Sequence, residues 1–397
     1  MDITIHPRLL AGSIRAIPSK SQAHRFLILA AFSDGPSEII CSQRNADLEA
    51  TAASLRALGA DVRYQDGRYR VVPVRELPAR AELPCGESGS TLRFLLPVAG
   101  ALGVDATFHL EGRLPDRPLS PLWEEMERMG CTLSRPTEHS LRCQGALRPG
   151  AYAIRADVSS QFVSGLLIGL SLLKEESRLT LTGPVESAPY IRLTLAAMKR
   201  FGSVCPFEDG CFSIFPAVFH STGHLHVEGD WSCGAFWLAA RILGSNLSVT
   251  GLDKASAQGD REVVRHLVGL EEFRVIDCAD IPDLLPVLAV TAGALRGARF
   301  EHAGRLRLKE SDRLESTAAL IRALGGNAEV TADTLTVEGT GFHGGTVDSC
   351  GDHRIAMAAA IAATVCQEPV VIRGAEAVEK SYPGFWSDYH RLGGILR

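Results

Sequence analysis

The sequence predicts an α/β protein of two similar domains, each built from three βαβαββ repeats whose apolar helices are enclosed by sheets. Three observations carry that prediction. Six apolar, helix-patterned stretches, at 19–32, 88–102, 159–173, 231–243, 281–295 and 352–365, each open just after a polar, hydrogen-bonding tip. Each is followed by a strand-like run and an amphipathic helix ending in glycine. Those glycines are Gly59, Gly130, Gly202, Gly269, Gly325 and Gly393, spaced 71, 72, 67, 56 and 68 residues apart. A period of that length is one supersecondary unit reused, and 397 residues exceed one ordinary core.

The first repeat shows the elements in order. Residues 13–17 are strand-like, and 26–32 are apolar on every side, so that helix must be covered all round. A strand at 37–41 follows, then a helix at 46–58 with Leu48, Ala52, Leu55 and Leu58 at helical spacing. Gly59 closes it, and 62–64 with 69–73 form a hairpin around Asp66-Gly67. The 56-residue interval marks the fourth repeat as trimmed of its hairpin. The sixth stops at Arg397 without one, and the lone strand at 2–6, which has no helix of its own unit, is expected to return and complete the second domain. The chain then crosses between domains near residues 13 and 226, giving one domain of 13–226 and a second of 1–12 with 227–397.

Composition narrows the function. Apolar residues make up 46% and charged residues 22%, as in a soluble globular protein. A net charge of -5 argues against a broad nucleic-acid-binding face but leaves room for a local cationic site. The N-terminal MDITI has no basic or apolar leader pattern, and the apolar helices are too short to cross a bilayer. Ten cysteines without a CxxC pair or metal-ligand spacing suit small core thiols in a reducing cytosol, and imply no metal site.

The chemistry concentrates at the helix openings. Helix N-termini offer free N–H groups and partial positive charge, which suits an anion. The first opens Pro18-Ser19-Lys20-Ser21-Gln22-Ala23-His24-Arg25, and the second is the glycine- and hydroxyl-rich Gly86-Glu87-Ser88-Gly89-Ser90-Thr91-Leu92-Arg93. The third opens Ser159-Ser160-Gln161 and the sixth Asp352-His353-Arg354. Serine, glycine and aspartate are ordinary there, but capping does not call for Lys20, Arg25, Arg93 or Arg354. No Walker motif is present. Loop cations add to the count: Arg117 beside Pro118, the charged run from Arg305 through Lys309 and Glu310 to Arg313, and Lys380 opening the last amphipathic helix. Asp283 opens an otherwise apolar helix; such an Asp is usually a cap, but among cations it can stay ionised and accept a proton.

With PSKSQAHR, GESGSTLR, DRP, SSQF, SAPYIRLT, IPD, RLKESDRL, GDHRIAMA and EKSYPGF in this order, the chain resembles the EPSP synthase family over essentially its whole length. The resemblance implies two inverse α/β-barrel-like domains that close on shikimate 3-phosphate and phosphoenolpyruvate in the cleft between them. The carboxyvinyl group would move to the 5-hydroxyl and phosphate would leave, without metal or organic cofactor. It implies that Lys20 touches both substrates. Ser21, Arg25, Ser159, Ser160, Gln161, Ser187, Asp283 and Lys309 would hold shikimate 3-phosphate, with Tyr190 nearby. Gly89, Arg117, Gln161, Arg313, Arg354 and Lys380 would hold phosphoenolpyruvate, with Arg93 a neighbour. Asp283 would be the base, and Glu310 and Lys20 the candidates to protonate the methylene carbon.

Three positions depart from the family pattern. Glu87 stands where many relatives have Asn, Arg305 where many have Asn, and Arg192 where an acidic residue is common. The alternatives are UDP-N-acetylglucosamine enolpyruvyl transferase, which shares the fold, and a non-catalytic anion-binding repeat scaffold. Small-molecule substrates, a cytoplasmic monomer and no nucleic-acid or membrane partner complete the expectation.

Overall fold

The computed structural model describes residues 1–397. The chain forms two compact units, Pro18–Val227 and Met1–Ile17 with Glu228–Arg397. In Pro18–Val227 one sheet pattern occurs three times. Arg80–Gly86 runs parallel to Asp105–Leu110, which pairs antiparallel with Ser140–Gly145, itself antiparallel to Cys131–Ser134. Ala151–Arg155, Ser177–Thr182, Cys211–Ile214 and Phe207–Glu208 repeat that order. In both, one helix links the parallel strands and another precedes the hairpin, which is the βαβαββ unit.

The remaining sheet of this unit corrects the sequence reading. The strand expected at 13–17 lies at Ala11–Arg15 and pairs parallel with Asn246–Thr250 in the other unit. Its expected place beside Ser37–Ile40 is taken by His224–His226. The chain therefore changes unit between Ile17 and Pro18, not near 13, and between Val227 and Glu228. Both strands are short and each precedes an apolar helix, so repeat counting could not tell which sheet each completes. Only the hydrogen-bond partners decide.

In the unit of Met1–Ile17 and Glu228–Arg397, Asn246–Thr250 and Ala11–Arg15 form a two-stranded sheet without a hairpin, as the short interval predicts. Asp2–His6 does return to the last repeat, antiparallel to both Val370–Arg373 and Ile395–Leu396. Gly59 has the expected positive φ of +102°. Gly269 does not; it is the last residue inside the helix Val263–Gly269, because the trimmed repeat needs no sharp reversal into a hairpin. The Asp66-Gly67 turn has positive φ at both residues, +50° and +75°, as a tight hairpin requires.

Each unit packs three apolar helices at its centre. In Pro18–Val227 these are Lys20–Ala31, Gly89–Leu102 and Ser160–Ser171, buried along nearly their whole length. The last two approach closely: a Cβ at Gly169 would sit 2.8 Å from the Pro97 carbonyl carbon, so any side chain there would force the helices apart. Trp231–Ile242, Leu285–Ala294 and His353–Ala363 are the counterparts in the other unit. All ten cysteines are free and eight are buried, consistent with small core residues. No helix is long and apolar enough to cross a membrane.

Candidate active site

Local capping fixes where the helix openings lie. Ser19 accepts from the Gln22 N–H at 3.4 Å, Ser88 from Thr91 at 3.2 Å and Ser159 from Gln161 at 3.3 Å. Asp352 accepts from the Arg354 N–H at 2.9 Å. Each cap satisfies an otherwise orphaned donor and leaves neighbouring N–H groups at the tip.

In Pro18–Val227 hydrogen bonds tie the three openings together. Lys20 Nζ donates to Asp47 Oδ2 at 2.7 Å, with both side chains largely buried. Arg25, 2% exposed, donates Nε to Thr194 Oγ1 at 2.7 Å and Nη1 to the Ser21 carbonyl at 2.7 Å. Its Nη2 reaches the Tyr190 carbonyl at 2.9 Å and Ser164 Oγ at 3.4 Å, and the guanidinium lies 4.8 Å from the Phe94 ring centroid. Most of its five N–H donors are thus spent on protein, so it braces the first opening against the turn at Ser187–Tyr190. Ser187 has φ +54°, rare for a residue with a Cβ, and its side chain does not cap the helix Ala188–Arg200 that follows.

The glycine-rich opening is joined to the third. Gln161 Nε2 donates to Ser90 Oγ at 2.9 Å, and its Oε1 accepts from Arg93 Nη1 at 2.9 Å. Arg93 also donates to the Pro118 carbonyl at 3.1 Å and stacks on Phe162. Arg117 lies against Gly89 so closely that an added Cβ would be 2.8 Å from its Nη1. Gly89, Arg93, Arg117 and Gln161 therefore form one cluster, with Ser159 and Ser160 buried at its edge.

The other unit holds a denser ion network. Asp283 is not a cap: the helix behind it is Leu285–Ala294, which has no side-chain cap, and the carboxylate faces cations instead. Its Oδ1 accepts from Arg313 Nη1 at 2.8 Å and its Oδ2 from Arg354 Nη2 at 2.8 Å. Arg313, 1% exposed, also donates to Glu310 Oε2 at 2.7 Å and to Asp352 Oδ2 at 2.9 Å. Three carboxylates thus hold Arg313, which makes it a keystone of the network as much as a ligand donor. Lys380 ends the 3-10 turn Ala375–Lys380 rather than opening the last helix, Phe385–Arg391, because Tyr382 and Phe385 must first bury against Trp237.

Burial alone would raise the Asp283 pKa, but Arg354, Lys309 and Arg313 outweigh it and hold the carboxyl well below the usual range. Burial pushes the Lys309 ammonium down to about 8, although Asp283 opposes the shift. Asp260 was not singled out in the sequence. It is buried on the short turn Gly259–Glu262, accepts from the Ser232 hydroxyl, and burial and then Asp283 push it up to about 7. Asp47, Asp260 and His24 were missed because an acid near a helix start or a histidine in an apolar helix carries no local mark of its partners.

Of the three departures, Arg305 donates to the Ala279 carbonyl at 2.6 Å, Glu87 packs over Gly112, and Arg192 is exposed.

Sheets wrapped round buried helices are the fold this chain shares with solved enolpyruvyl transferases. The enolpyruvyl transferase NikO from Streptomyces tendae superposes with a TM-score of 0.75 at 18% identity, covering 100% of this chain and 98% of its own. An EPSP synthase from Acinetobacter baumannii superposes with a TM-score of 0.82 at 22% identity, covering 100% and 99%. The family is decided by sequence. A family model described as EPSP synthase (3-phosphoshikimate 1-carboxyvinyltransferase) matches residues 5–389. A relative from Clostridium kluyveri, named 3-phosphoshikimate 1-carboxyvinyltransferase, is 39% identical over 99% of this chain and 98% of its own. One of the same name from Clostridium perfringens is 36% identical over 100% and 99%. The chain belongs to the EPSP synthase family.

Proposed function

We propose that the chain transfers the carboxyvinyl group of phosphoenolpyruvate to the 5-hydroxyl of shikimate 3-phosphate, releasing inorganic phosphate, a step of aromatic amino acid biosynthesis. The observation that carries this reading is the Asp283 carboxylate held between Arg313 and Arg354, in a chain matched by the family over residues 5–389. Each substrate brings a phosphate and a carboxylate, and Arg and helix N-termini suit both groups.

Lys20, Ser21, Ser159, Ser160, Gln161, Ser187 and Lys309 serve shikimate 3-phosphate, with Arg25 bracing Ser21 and Tyr190. Lys20, Gly89, Arg93, Arg117, Gln161, Arg354 and Lys380 serve phosphoenolpyruvate, with Arg313 fixing Asp283 and Glu310. Asp283 accepts the proton of the 5-hydroxyl as its oxygen attacks C2 of phosphoenolpyruvate. Glu310 or Lys20 protonates C3, giving a tetrahedral adduct that carries both carboxylate and phosphate. Loss of a proton from the new methyl group and departure of phosphate restore the double bond. A carboxylate held so acidic is a weak base. Anionic substrates that occupy Arg354 and Lys309 relieve that hold and raise its pKa towards the range where it accepts a proton.

The reading includes a cytoplasmic monomer acting on small molecules, without nucleic-acid or membrane partners. The test is phosphate release from phosphoenolpyruvate with shikimate 3-phosphate or UDP-N-acetylglucosamine as acceptor. Release only with the former is expected. Release only with the latter moves the chain to the nucleotide-sugar enzyme, and tight binding without turnover makes it an anion-binding scaffold.

A further inference from the structure

We infer that His24 is a positioning residue that aims the glycine-rich helix opening through a buried relay of hydroxyl groups; the inference rests on the reading that Gly89 and Arg117 hold phosphoenolpyruvate. His24 lies in Lys20–Ala31, and its Nδ1 is 2.7 Å from Thr51 Oγ1 in Ala46–Ala57. Thr51 Oγ1 is 2.7 Å from Thr91 Oγ1, in the first turn of Gly89–Leu102. Thr91 Oγ1 is 2.7 Å from Ser88 Oγ and 3.4 Å from the Asp47 carbonyl, whose side chain holds Lys20. His24, Thr51, Thr91 and Ser88 are all fully buried.

The direction of the relay follows from counting protons. Thr91 Oγ1 donates to Ser88 Oγ, which spends its single hydroxyl proton there. Thr51 must then donate to Thr91, and His24 Nδ1–H must donate to Thr51. The reverse order would move the imidazole proton to Nε2, which is buried with no partner. An orphaned buried N–H is the costlier arrangement. Burial also pushes the imidazole down to about 3, so the ring is neutral and carries one N–H.

Packing alone would be served as well by apolar side chains of the same volume. What the hydroxyls add is direction. They hold Ser88 Oγ where it caps the Thr91 N–H, and that cap sets the backbone of Gly89 and Ser90. Gly89 faces Arg117, and Ser90 receives Gln161, so a rotated cap shifts the contacts proposed for phosphoenolpyruvate.

His24→Leu removes the donor at similar volume, whereas His24→Asn keeps an N–H near the Nδ1 position. His24→Leu is expected to raise KM for phosphoenolpyruvate about tenfold (~1.4 kcal/mol), with kcat and calorimetric affinity for shikimate 3-phosphate changed by less than about threefold. His24→Asn is expected to return KM to near the wild-type value. Should His24→Leu fail to fold, Thr51→Val breaks the relay at the next link and should give the same split. An unchanged KM in a folded relay variant, or equal losses for both substrates, overturns the inference. A wild-type chain that releases no phosphate overturns the functional reading instead. In that case hydrogen exchange at the Thr91 amide of the ligand-free chain still decides the relay. Faster exchange in His24→Leu, restored by His24→Asn, supports it, and unchanged exchange refutes it.

Discussion

Arg354 Nη2 lies 2.8 Å from Asp283 Oδ2, so the cation proposed to hold phosphoenolpyruvate is ion-paired with the carboxylate proposed as base. Arg354 and Asp283 form a neutralised pair rather than an open cationic patch. Arg313 pairs with Asp283, Glu310 and Asp352, and Arg354 with Asp283, so each of these buried charges faces an opposite one.

Asp283→Asn tests the base. An amide still accepts one hydrogen bond but cannot take the hydroxyl proton, so turnover should fall about 10²–10⁴-fold. Its stability cost should exceed that of a lost cap, because Arg313 and Arg354 each lose an ionic partner worth about 1.5–3 kcal/mol. Turnover, melting temperature and calorimetric affinity for shikimate 3-phosphate are measured on one preparation. Near-normal turnover would pass the role to Glu310.

Gly89→Ala tests the contact with Arg117. The new Cβ would lie 2.8 Å from Arg117 Nη1, so the guanidinium must move. Losing one charge-assisted bond of about 1.5–3 kcal/mol should raise KM for phosphoenolpyruvate roughly 10- to 150-fold. Affinity for shikimate 3-phosphate alone should hold. A KM unchanged by the methyl group would place phosphoenolpyruvate elsewhere.

Lys309 gives the pH dependence of binding. Its ligand-free pKa is pushed down to about 8 by burial, and a bound anion raises it again. Affinity for shikimate 3-phosphate should therefore stay level below pH 8 and decline as pH rises beyond it. Lys309→Arg keeps its charge throughout and should flatten the decline. Calorimetry between about pH 7 and pH 9.5 decides, and equal slopes for both proteins would remove Lys309 from the ligand's charge balance.

Asp260 gives the pH dependence of stability. Its folded pKa of about 7 lies above its ordinary value, so its contribution is fully present below the unfolded pKa and is lost as pH rises through 7. Asp260→Asn cannot ionise. Relative to wild type, its melting temperature should improve steadily between about pH 4 and pH 7 and level off above that. A constant difference across that range would show that Asp260 does not titrate there.

The sequence by itself determined the repeat, five of the six closing glycines, the Asp66-Gly67 turn and the helix openings with their serine and aspartate caps. These are short-range choices, made by backbone sterics and by hydrogen bonds between residues two to four apart. The return of Asp2–His6 to the second domain was also legible, because the strand has no helix of its own unit, whereas its partners in the last repeat were not. Tertiary structure alone decided the exchange of Ala11–Arg15 and His224–His226 between sheets, since strand pairing is a long-range bond and both segments read alike. It also decided which charges are spent. Arg25 and Arg313 look like free ligands in the sequence, yet partners up to 169 residues away take up most of their donors. Asp283 looked like a cap and is the common acceptor of two arginines. A charged group in a buried site is defined by the partners that offset its desolvation, and those partners come from other elements, some in the same repeat, as Asp283 for Arg313, and some in another, as Asp352 for Arg313.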